Sequence, residues 1–315
     1  MTGRGVLRMG VLALLWGSGF LWIKLALTGL SPVQITVIRC ALGAGVLLVL
    51  ARAGGQRLPR KLWGHLAVAA FFCNALPFLL FAIGEQTVDS GVAGVLNATT
   101  PLFAVLIGLM IGAERGLTPV RVTGLVLGFA GVLLIFAPWQ QEGLTSVGAL
   151  ALLGAAASYA VAFAYMGRNL VGKGGPIAVS AAQLTAATGL SAVMMPFDGA
   201  PTTPNATAIV AVVVLGVFGT GVTFYLNYRI IEDEGATSAA TVGYLLPVVS
   251  VALGAIVLDE PLTARIVVGM AVVLAGVALT RSALAKRPHE RTGRYQLSVM
   301  STERDTGRGR SADLR

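Results

Sequence analysis

Length and composition exclude a soluble globular protein. The chain has 315 residues, of which 56% are hydrophobic and only 12% are charged, whereas a soluble domain carries roughly 25% charged residues. A mean hydropathy of +0.81 and 40 glycines indicate a membrane protein built from many closely packed apolar helices. Cys40 and Cys73 both fall inside apolar stretches, so we expect buried thiols, no disulfide framework, no metal site and no cofactor.

The charged residues divide the chain into ten predicted membrane spans. An unpaired charge at the centre of a bilayer costs at least several kcal/mol, and a helical span needs about 20 apolar residues. In chain order, the spans are predicted around residues 6–25, 33–51, 62–84, 90–113, 122–141, 143–167, 174–197, 199–228, 235–258 and 262–281. The predicted fold class is therefore an all-α polytopic membrane protein.

The distribution of basic residues predicts the orientation in the bilayer. If the N-terminus is cytoplasmic, all of the 23 basic residues except Lys24, Arg39 and Arg265 lie on the cytoplasmic side, as the preference for Lys and Arg in cytoplasmic loops requires. We therefore expect a multi-pass protein of the cytoplasmic membrane with both termini inside. The basic residues follow the membrane face rather than the surface of a fold, so no nucleic-acid partner is expected.

An internal repeat relates the two halves of the chain. An offset of 146 residues connects three pairs of identical residues, namely Phe78 and Phe224, Pro101 and Pro247, and Glu114 and Glu260. The repeats are predicted at 6–137 and 147–282, and a basic, disordered cytoplasmic tail at 283–315. Five spans per repeat is an odd number, so the second repeat must cross the membrane in the opposite sense, which gives two inverted five-helix repeats.

Several segments carry a family resemblance. The first span contains LWGSGFLWIK at 15–24, which resembles the opening signature of the EamA-like branch of the drug/metabolite transporter superfamily. The stretch 94–103, its continuation at 112–115 and the glycine-rich segment 124–134 are similar to the same family. The resemblance implies a ten-helix permease whose central cavity lies between the repeats and is lined by helices 1, 3, 4, 6, 8 and 9. Members of this family move amino acids, other metabolites or drugs, often outward.

Prolines inside two equivalent spans indicate where a cavity could lie. Pro101 leaves the carbonyl of Asn97 without its helical partner, and Pro247 does the same to Gly243. Such backbone is tolerated at membrane depth only where protein or a wet cavity satisfies it. Asn97 and Thr100 share a helix face with Pro101, so they are cavity candidates. The alternative is a kinked helix whose polar side chains bond to neighbouring helices.

Further cavity candidates lie in other spans. Tyr244, next to Gly243, has the apolar ring and polar tip that can cover a ligand. The remaining cavity candidates are Asn74, Tyr225 and Asn227, with Trp16 and Ser18 from the family signature and Tyr159 from the diverged stretch 158–160 that stands at the equivalent place in the second repeat. Pro77 is a third candidate for a kink. A smooth face in the fifth span, formed by Gly124, Gly128 and Gly131, is expected to pack closely against another helix, in the same chain or in a homodimer.

Arg39 is the one charge well inside a predicted span. A charge at this depth indicates a functional role, although an Arg near the membrane edge can also snorkel to the surface or bond to carbonyls. Every Asp and Glu lies at a span end, in a loop or in the tail, so the sequence predicts no mid-membrane proton relay. Glu85, near the outer end of the third span, is the available candidate if transport is coupled to protons.

Two classes of function remain at this point. A secondary transporter would move a small metabolite, amino acid or drug-like solute by alternating access, with export as the expected direction. The alternative is a membrane-embedded enzyme acting on a lipid or lipid-linked substrate. The sequence lacks His-Glu-x-x-His, a Walker loop and Gly-x-Ser-x-Gly, which favours the transporter and predicts no catalytic residue. The expected partners are the solute and the lipid bilayer.

Overall fold

A computed structural model describes residues 3–88, 90–110, 118–137, 147–199, 202–235, 239–240, 242–249 and 263–285. Throughout these ranges the regular structure is helical and contains no strand, which confirms the predicted fold class. The predicted tail at 283–315 lies almost wholly outside the described residues, and so does most of the predicted span at 235–258.

Eight α-helices form the first half of the chain. In order, they are α1 (Gly3–Gly17), α2 (Gly19–Ala26), α3 (Pro32–Ala53), α4 (Trp63–Ala70), α5 (Leu76–Thr87), α6 (Ser90–Asn97), α7 (Thr100–Met110) and α8 (Pro119–Phe136). Ser18 separates α1 from α2, and a π-helical turn, Phe71–Ala75, joins α4 to α5. The start of α3 is fixed by a capping box, in which the Ser31 side chain and the Gln34 side chain each bond to the other residue's backbone N–H.

The described part of the second half contains five longer α-helices. They are α9 (Val147–Asn169), α10 (Pro176–Ala192), α11 (Ala206–Gly216), α12 (Thr223–Glu234) and α13 (Ala264–Ala285), with a π-helical turn, Val217–Val222, between α11 and α12. A short 3-10 turn, Val242–Tyr244, precedes helical residues 245–249.

Within the described residues, six helical segments are long and apolar enough to cross a membrane. They are Leu7–Ala26, Pro32–Ala53, Trp63–Thr87, Val147–Asn169, Pro176–Phe197 and Ala206–Glu234. Three shorter apolar helices, Thr100–Met110, Val122–Ile135 and Ala264–Thr280, coincide with the predicted fourth, fifth and tenth spans. The predicted fourth span is divided, because α6 ends at Asn97 and α7 begins at Thr100.

The second helices of the two predicted repeats, α3 and α10, pack antiparallel. The hydroxyl of Ser31, before α3, bonds to Asp198, after α10, whereas Gln56 at the other end of α3 accepts a hydrogen bond from the Ala178 N–H at 3.3 Å. Between these ends, Gly43 lies so close to α10 that an added Cβ would be 3.0 Å from Leu184. The start of α3 is therefore next to the end of α10.

The fifth and tenth predicted spans, α8 and α13, form a second antiparallel pair. A Cβ added to Gly124 would lie 2.8 Å from the Gly276 carbonyl oxygen, and one added to Gly131 would lie 2.8 Å from that of Gly269. Only a residue without a side chain allows the backbones to approach so closely. The glycine face predicted from the sequence thus packs against α13 of the same chain.

The two π-helical turns begin at Phe71 and Val217, which are also 146 residues apart. Pro77 follows the first turn by two residues and removes one backbone donor from it. The second turn has Thr223 at the equivalent position, and its hydroxyl donates to the Gly219 carbonyl at 2.8 Å. The same local unwinding is therefore present in both halves, although different residues accompany it.

Candidate functional site

A partly open cavity of about 620 Å³, counted out to its mouth, lies between the two halves of the chain. Residues of α1, α2, α3, α5, α6 and α7 line it from the first half, and residues of α9, α11, the second π-turn and 239–246 line it from the second. The 620 Å³ includes open solvent at the mouth, and the space that the centre of a water-sized sphere can reach is about 60 Å³, which is room for a few water molecules.

Asn97 and Thr100 line the cavity where the fourth predicted span is interrupted. The carbonyl of Asn97, which Pro101 cannot bond, accepts a hydrogen bond from the Thr100 hydroxyl at 2.7 Å. The side-chain oxygen of Asn97 has one long contact with the same hydroxyl, at 3.4 Å. The Asn97 amide is therefore only weakly engaged by described groups and can bond to a solute.

The two proline segments meet at this cavity. Gly243 lines it, and a Cβ added to Gly243 would lie 3.9 Å from Cδ of Pro101. Pro247 is buried in the helical turn that follows, and Pro77 is buried at the start of α5. The helix interruptions predicted at Pro101 and Pro247 thus border the same space, whereas Pro77 is associated with the π-turn before α5.

Aromatic rings form a continuous wall of the cavity. Phe20, Phe81, Tyr159 and Phe163 follow one another with ring centroids 5.8 to 5.9 Å apart, a normal spacing for aromatic pairs. Trp16 lines the cavity as well and packs edge to face on Phe224 at 6.3 Å. Trp16 is the position selected from the family signature, and Tyr159 lies in the diverged counterpart of that signature in the second repeat.

Arg39 contributes the charge of the cavity lining. Its side chain is only 5% exposed, and its Cζ lies 3.6 Å from the centre of the Phe78 ring. Nε donates to the Thr220 hydroxyl at 3.1 Å. The second π-turn supplies this hydroxyl, so the unwinding of the helix and the placement of the charge are structurally connected.

The structure places Tyr244 away from the cavity lining. It is fully buried, and its hydroxyl donates to the Leu125 carbonyl at 3.1 Å. Its ring packs on Gly128 of α8, where an added Cβ would come within 2.9 Å of it. Tyr244 therefore packs against the glycine-rich helix α8 and is not among the residues that line the cavity.

Four further candidates also lie outside the lining. The Ser18 hydroxyl donates to the Leu15 carbonyl at 3.1 Å, and Tyr225 is half-buried against the core. Asn74 and Asn227 are completely buried, and the Asn227 amide has no described hydrogen-bond partner.

A buried polar cluster connects α10 with both π-turn helices. The Gln183 side chain donates to Oδ1 of Asn74 at 2.7 Å and accepts a hydrogen bond from the Tyr228 hydroxyl. Gln183 and Tyr228 were not among the sequence candidates. A lone Gln in the apolar span 174–197 was a visible signal, but its partner could not be read from the sequence.

The part of the chain that the structure describes contains no group of three or more His, Cys, Asp or Glu side chains able to hold a metal ion. Cys40 and Cys73 are buried free thiols. The chemistry that the cavity offers to a solute consists of aromatic faces, an amide, a hydroxyl and one guanidinium.

Comparison with known proteins identifies the family. The sequence profile of the EamA-like transporter family matches residues 3–137 and again residues 146–282. An uncharacterized transporter of Archaeoglobus fulgidus is 28% identical over 262 residues, which cover 83% of this chain and 93% of the relative. The uncharacterized transporter YvbV of Bacillus subtilis is 26% identical, with 89% of this chain and 92% of the relative covered.

A solved crystal structure supports the same fold. It is 22% identical in sequence and superposes with a TM-score of 0.74. The match covers 92% of this chain and all of the solved chain. The two profile matches span most of the sequence, and the six apolar spans agree with a multi-pass membrane protein. The chain belongs to the EamA-like transporter family.

Proposed function

We propose that this protein is a secondary transporter that moves a small organic solute across the cytoplasmic membrane by alternating access. The observation that carries the proposal is the cavity itself, because both halves of the chain line it and both proline segments border it. The aromatic wall, Asn97 and Thr100 would contact the solute.

The antiparallel pairing of equivalent helices supports inverted repeats. In an inverted repeat, corresponding helices cross the membrane in opposite directions. Both α3 with α10 and α8 with α13 have this relation. Two gates of equivalent construction could then open to opposite sides of the membrane, with repeats at 6–137 and 147–282.

The depth of the cavity residues along their spans suggests which side of the transport path is closed. Among the cavity residues, Ile23 belongs to the later part of the first span and Leu215 to the earlier part of the α11–α12 span, while Trp16 and Gly219 lie near the middle of these spans. With cytoplasmic termini, as we propose, Ile23 and Leu215 lie toward the outer face. The cluster of Asn74, Gln183 and Tyr228 would then close the inner half and would have to open during export.

Transport can be tested without knowing the solute. Proteoliposomes are loaded with an aqueous cell extract, and mass spectrometry follows which compounds leave in the presence of protein. We expect a small set of compounds to be relocated unchanged. A lipid-modifying enzyme would instead yield a new chemical species, and the absence of both results would contradict the transporter and its alternative.

A matched pair of variants tests the cavity. Thr100 donates to the Asn97 carbonyl at 2.7 Å and Thr188 to the Leu184 carbonyl at 2.8 Å, but only Thr100 lines the cavity. One neutral hydrogen bond is worth about 0.5–1.5 kcal/mol. Flux should therefore fall by about twofold to tenfold in Thr100→Ala and Asn97→Ala, and remain near the wild-type value in Thr188→Ala.

A further inference from the structure

We propose that the transported solute is an organic anion with an aromatic or similarly flat apolar group, and that Arg39 binds its anionic end. The inference rests on the proposed transport function and deepens it, since it assigns a chemical class of solute to the same cavity. Four observations carry it: the absence of a described ion pair at Arg39, its free donors, the absence of acid from the described lining, and the aromatic wall.

Arg39 has a buried charge that forms no ion pair with a described carboxylate. The side chain is 5% exposed. The Phe78 ring lies against the guanidinium, and the Thr220 hydroxyl accepts a hydrogen bond from its Nε. Tyr159 and Glu85 lie close enough to interact with it electrostatically. Removing a charge from water is unfavourable unless an opposite charge or several hydrogen bonds compensate for it.

The guanidinium retains donors for a ligand. It carries five N–H groups, and among described residues only its Nε–H has an acceptor, the Thr220 hydroxyl. That bond and the Phe78 contact orient the planar group at the cavity wall. A carboxylate or phosphate can accept two parallel hydrogen bonds from such a fork, which makes an anion the best match.

The charged residues near Arg39 lie outside the cavity lining. Lys24 donates from Nζ to the carbonyls of Glu85 and Val88, at 2.6 and 3.1 Å, so its charge is held at the end of α5. The Glu85 carboxyl is fully buried, has no described hydrogen-bond partner or ion pair, and interacts electrostatically with both Lys24 and Arg39. Neither residue lines the cavity, whose described lining contains one Arg and no acid.

The rest of the solute is selected by the rings. Phe20, Phe81, Tyr159 and Phe163 form one connected wall of the cavity that Arg39 also lines. Aromatic faces favour flat apolar groups through offset and edge-to-face contacts. A compound with a ring at one end and a carboxylate at the other can contact the wall and the guanidinium together, whereas an amine has no acidic partner in the described lining.

The test compares three probes of nearly equal shape: 3-phenylpropionate, its neutral amide and 3-phenylpropylamine. Binding to the purified full-length protein is measured by isothermal titration calorimetry in detergent micelles at pH 7. Arg39→Gln removes the charge, Arg39→Lys keeps it without the planar fork, and Arg229→Gln serves as a matched control. Arg229 is an arginine that pairs with Glu232 at 3.3 Å and does not line the cavity.

We expect the wild type to bind the acid at least tenfold more tightly than the amide, which corresponds to 1.4 kcal/mol, and the amine most weakly. Arg39→Gln should abolish the preference for the acid while the amide affinity changes by less than threefold. Arg39→Lys should retain part of the preference, and Arg229→Gln all of it. Size-exclusion chromatography establishes that each variant is folded, and Arg39→Lys provides the answer if Arg39→Gln is not.

Three results would overturn the proposal: no binding of the acid by the wild type, equal affinity for acid and amide, or an undiminished acid preference in Arg39→Gln. Counterflow in proteoliposomes separates this inference from the transport function. If the acid binds through Arg39 but is never moved, the transport function fails and the ligand class stands. If vesicles move a neutral or cationic compound equally well with Arg39→Gln, transport stands and the ligand class is wrong.

Discussion

Phe78 on α5 and Phe224 on α12 pack edge to face, with ring centroids 6.0 Å apart and an interplanar angle of 82°. They are the residues that the repeat offset of 146 relates, so two equivalent positions of the duplicated chain are in direct contact. Arg39 lies over the Phe78 ring, and Trp16 packs on Phe224. This aromatic pair therefore supports the cavity from both halves of the chain.

The contact between these rings predicts energetic coupling. Aromatic pairs contribute about 0.5–1.5 kcal/mol beyond the area that they bury, so Phe78→Leu and Phe224→Leu should be less destabilising together than the sum of the two single changes. The measurement is a double-mutant cycle on the free energy of unfolding in detergent. Phe218→Leu is the control, because Phe218 is 50% exposed and should not couple to Phe78. Strict additivity of Phe78→Leu and Phe224→Leu would contradict the contact.

The close packing of α8 against α13 predicts that Gly276 does not tolerate a side chain. A Cβ on Gly276 would lie 2.4 Å from the backbone nitrogen of Gly128, so Gly276→Ala must separate the helices. Overpacking of this kind costs about 1–3 kcal/mol or more, and we expect a lower unfolding temperature. Gly45→Ala is the matched control, since nothing lies within 4 Å of its added Cβ. Similar unfolding temperatures for the two variants would show that α8 and α13 do not pack as described.

The polar cluster predicts that two tyrosines of α12 differ in how much their hydroxyl groups stabilise the protein. Tyr228→Phe leaves Oε1 of Gln183 without its donor, and an unpaired buried polar atom costs about 1–3 kcal/mol. Tyr225 lies three residues earlier and has no described hydrogen bond, so Tyr225→Phe should change stability by less than about 0.5 kcal/mol. Thermal unfolding in detergent compares the variants, and an equal effect of both changes would exclude a stabilising role for the cluster.

The hydrogen bonds of Lys24 predict that this residue stabilises the end of α5. Its ammonium donates to the Glu85 and Val88 carbonyls, and such charge-assisted bonds are worth about 1.5–3 kcal/mol. Lys24→Met keeps most of the side-chain volume and should lower the free energy of unfolding by roughly that amount. Lys61→Met, at an exposed position, is the control. No difference between Lys24→Met and Lys61→Met would mean that solvent replaces both bonds.

Much of the fold follows from the sequence because its signals are local. Gaps between charges mark the spans, and the fixed offset between Pro101 and Pro247 indicates the duplication. Asn97 and Thr100 could be selected because a proline exposes a carbonyl at a known distance along the helix. These inferences need only helical geometry and the cost of burying polar groups.

The sequence is less informative where tertiary contacts decide. Tyr244 has the composition of a ligand contact, yet its ring packs on Gly128 of another helix, a relation that spacing along the chain does not contain. The π-turn at Val217–Val222 lacks the proline that accompanies the first one, so no local signal indicates it. The position of Thr220 beside Arg39 depends on that turn and was equally hidden.

The most direct test of the account is to fill the cavity with a side chain and measure transport. Gly19 lines the cavity, and the nearest atom to an added Cβ is Leu215 Cδ1, at 3.9 Å. Gly19→Phe should therefore insert and fold normally but reduce the flux of the relocated compounds from extract-loaded proteoliposomes at least tenfold. Gly45→Phe places the same side chain on the exposed side of α3 and should leave the flux near the wild-type value. Full flux in Gly19→Phe would contradict a transport path through this cavity.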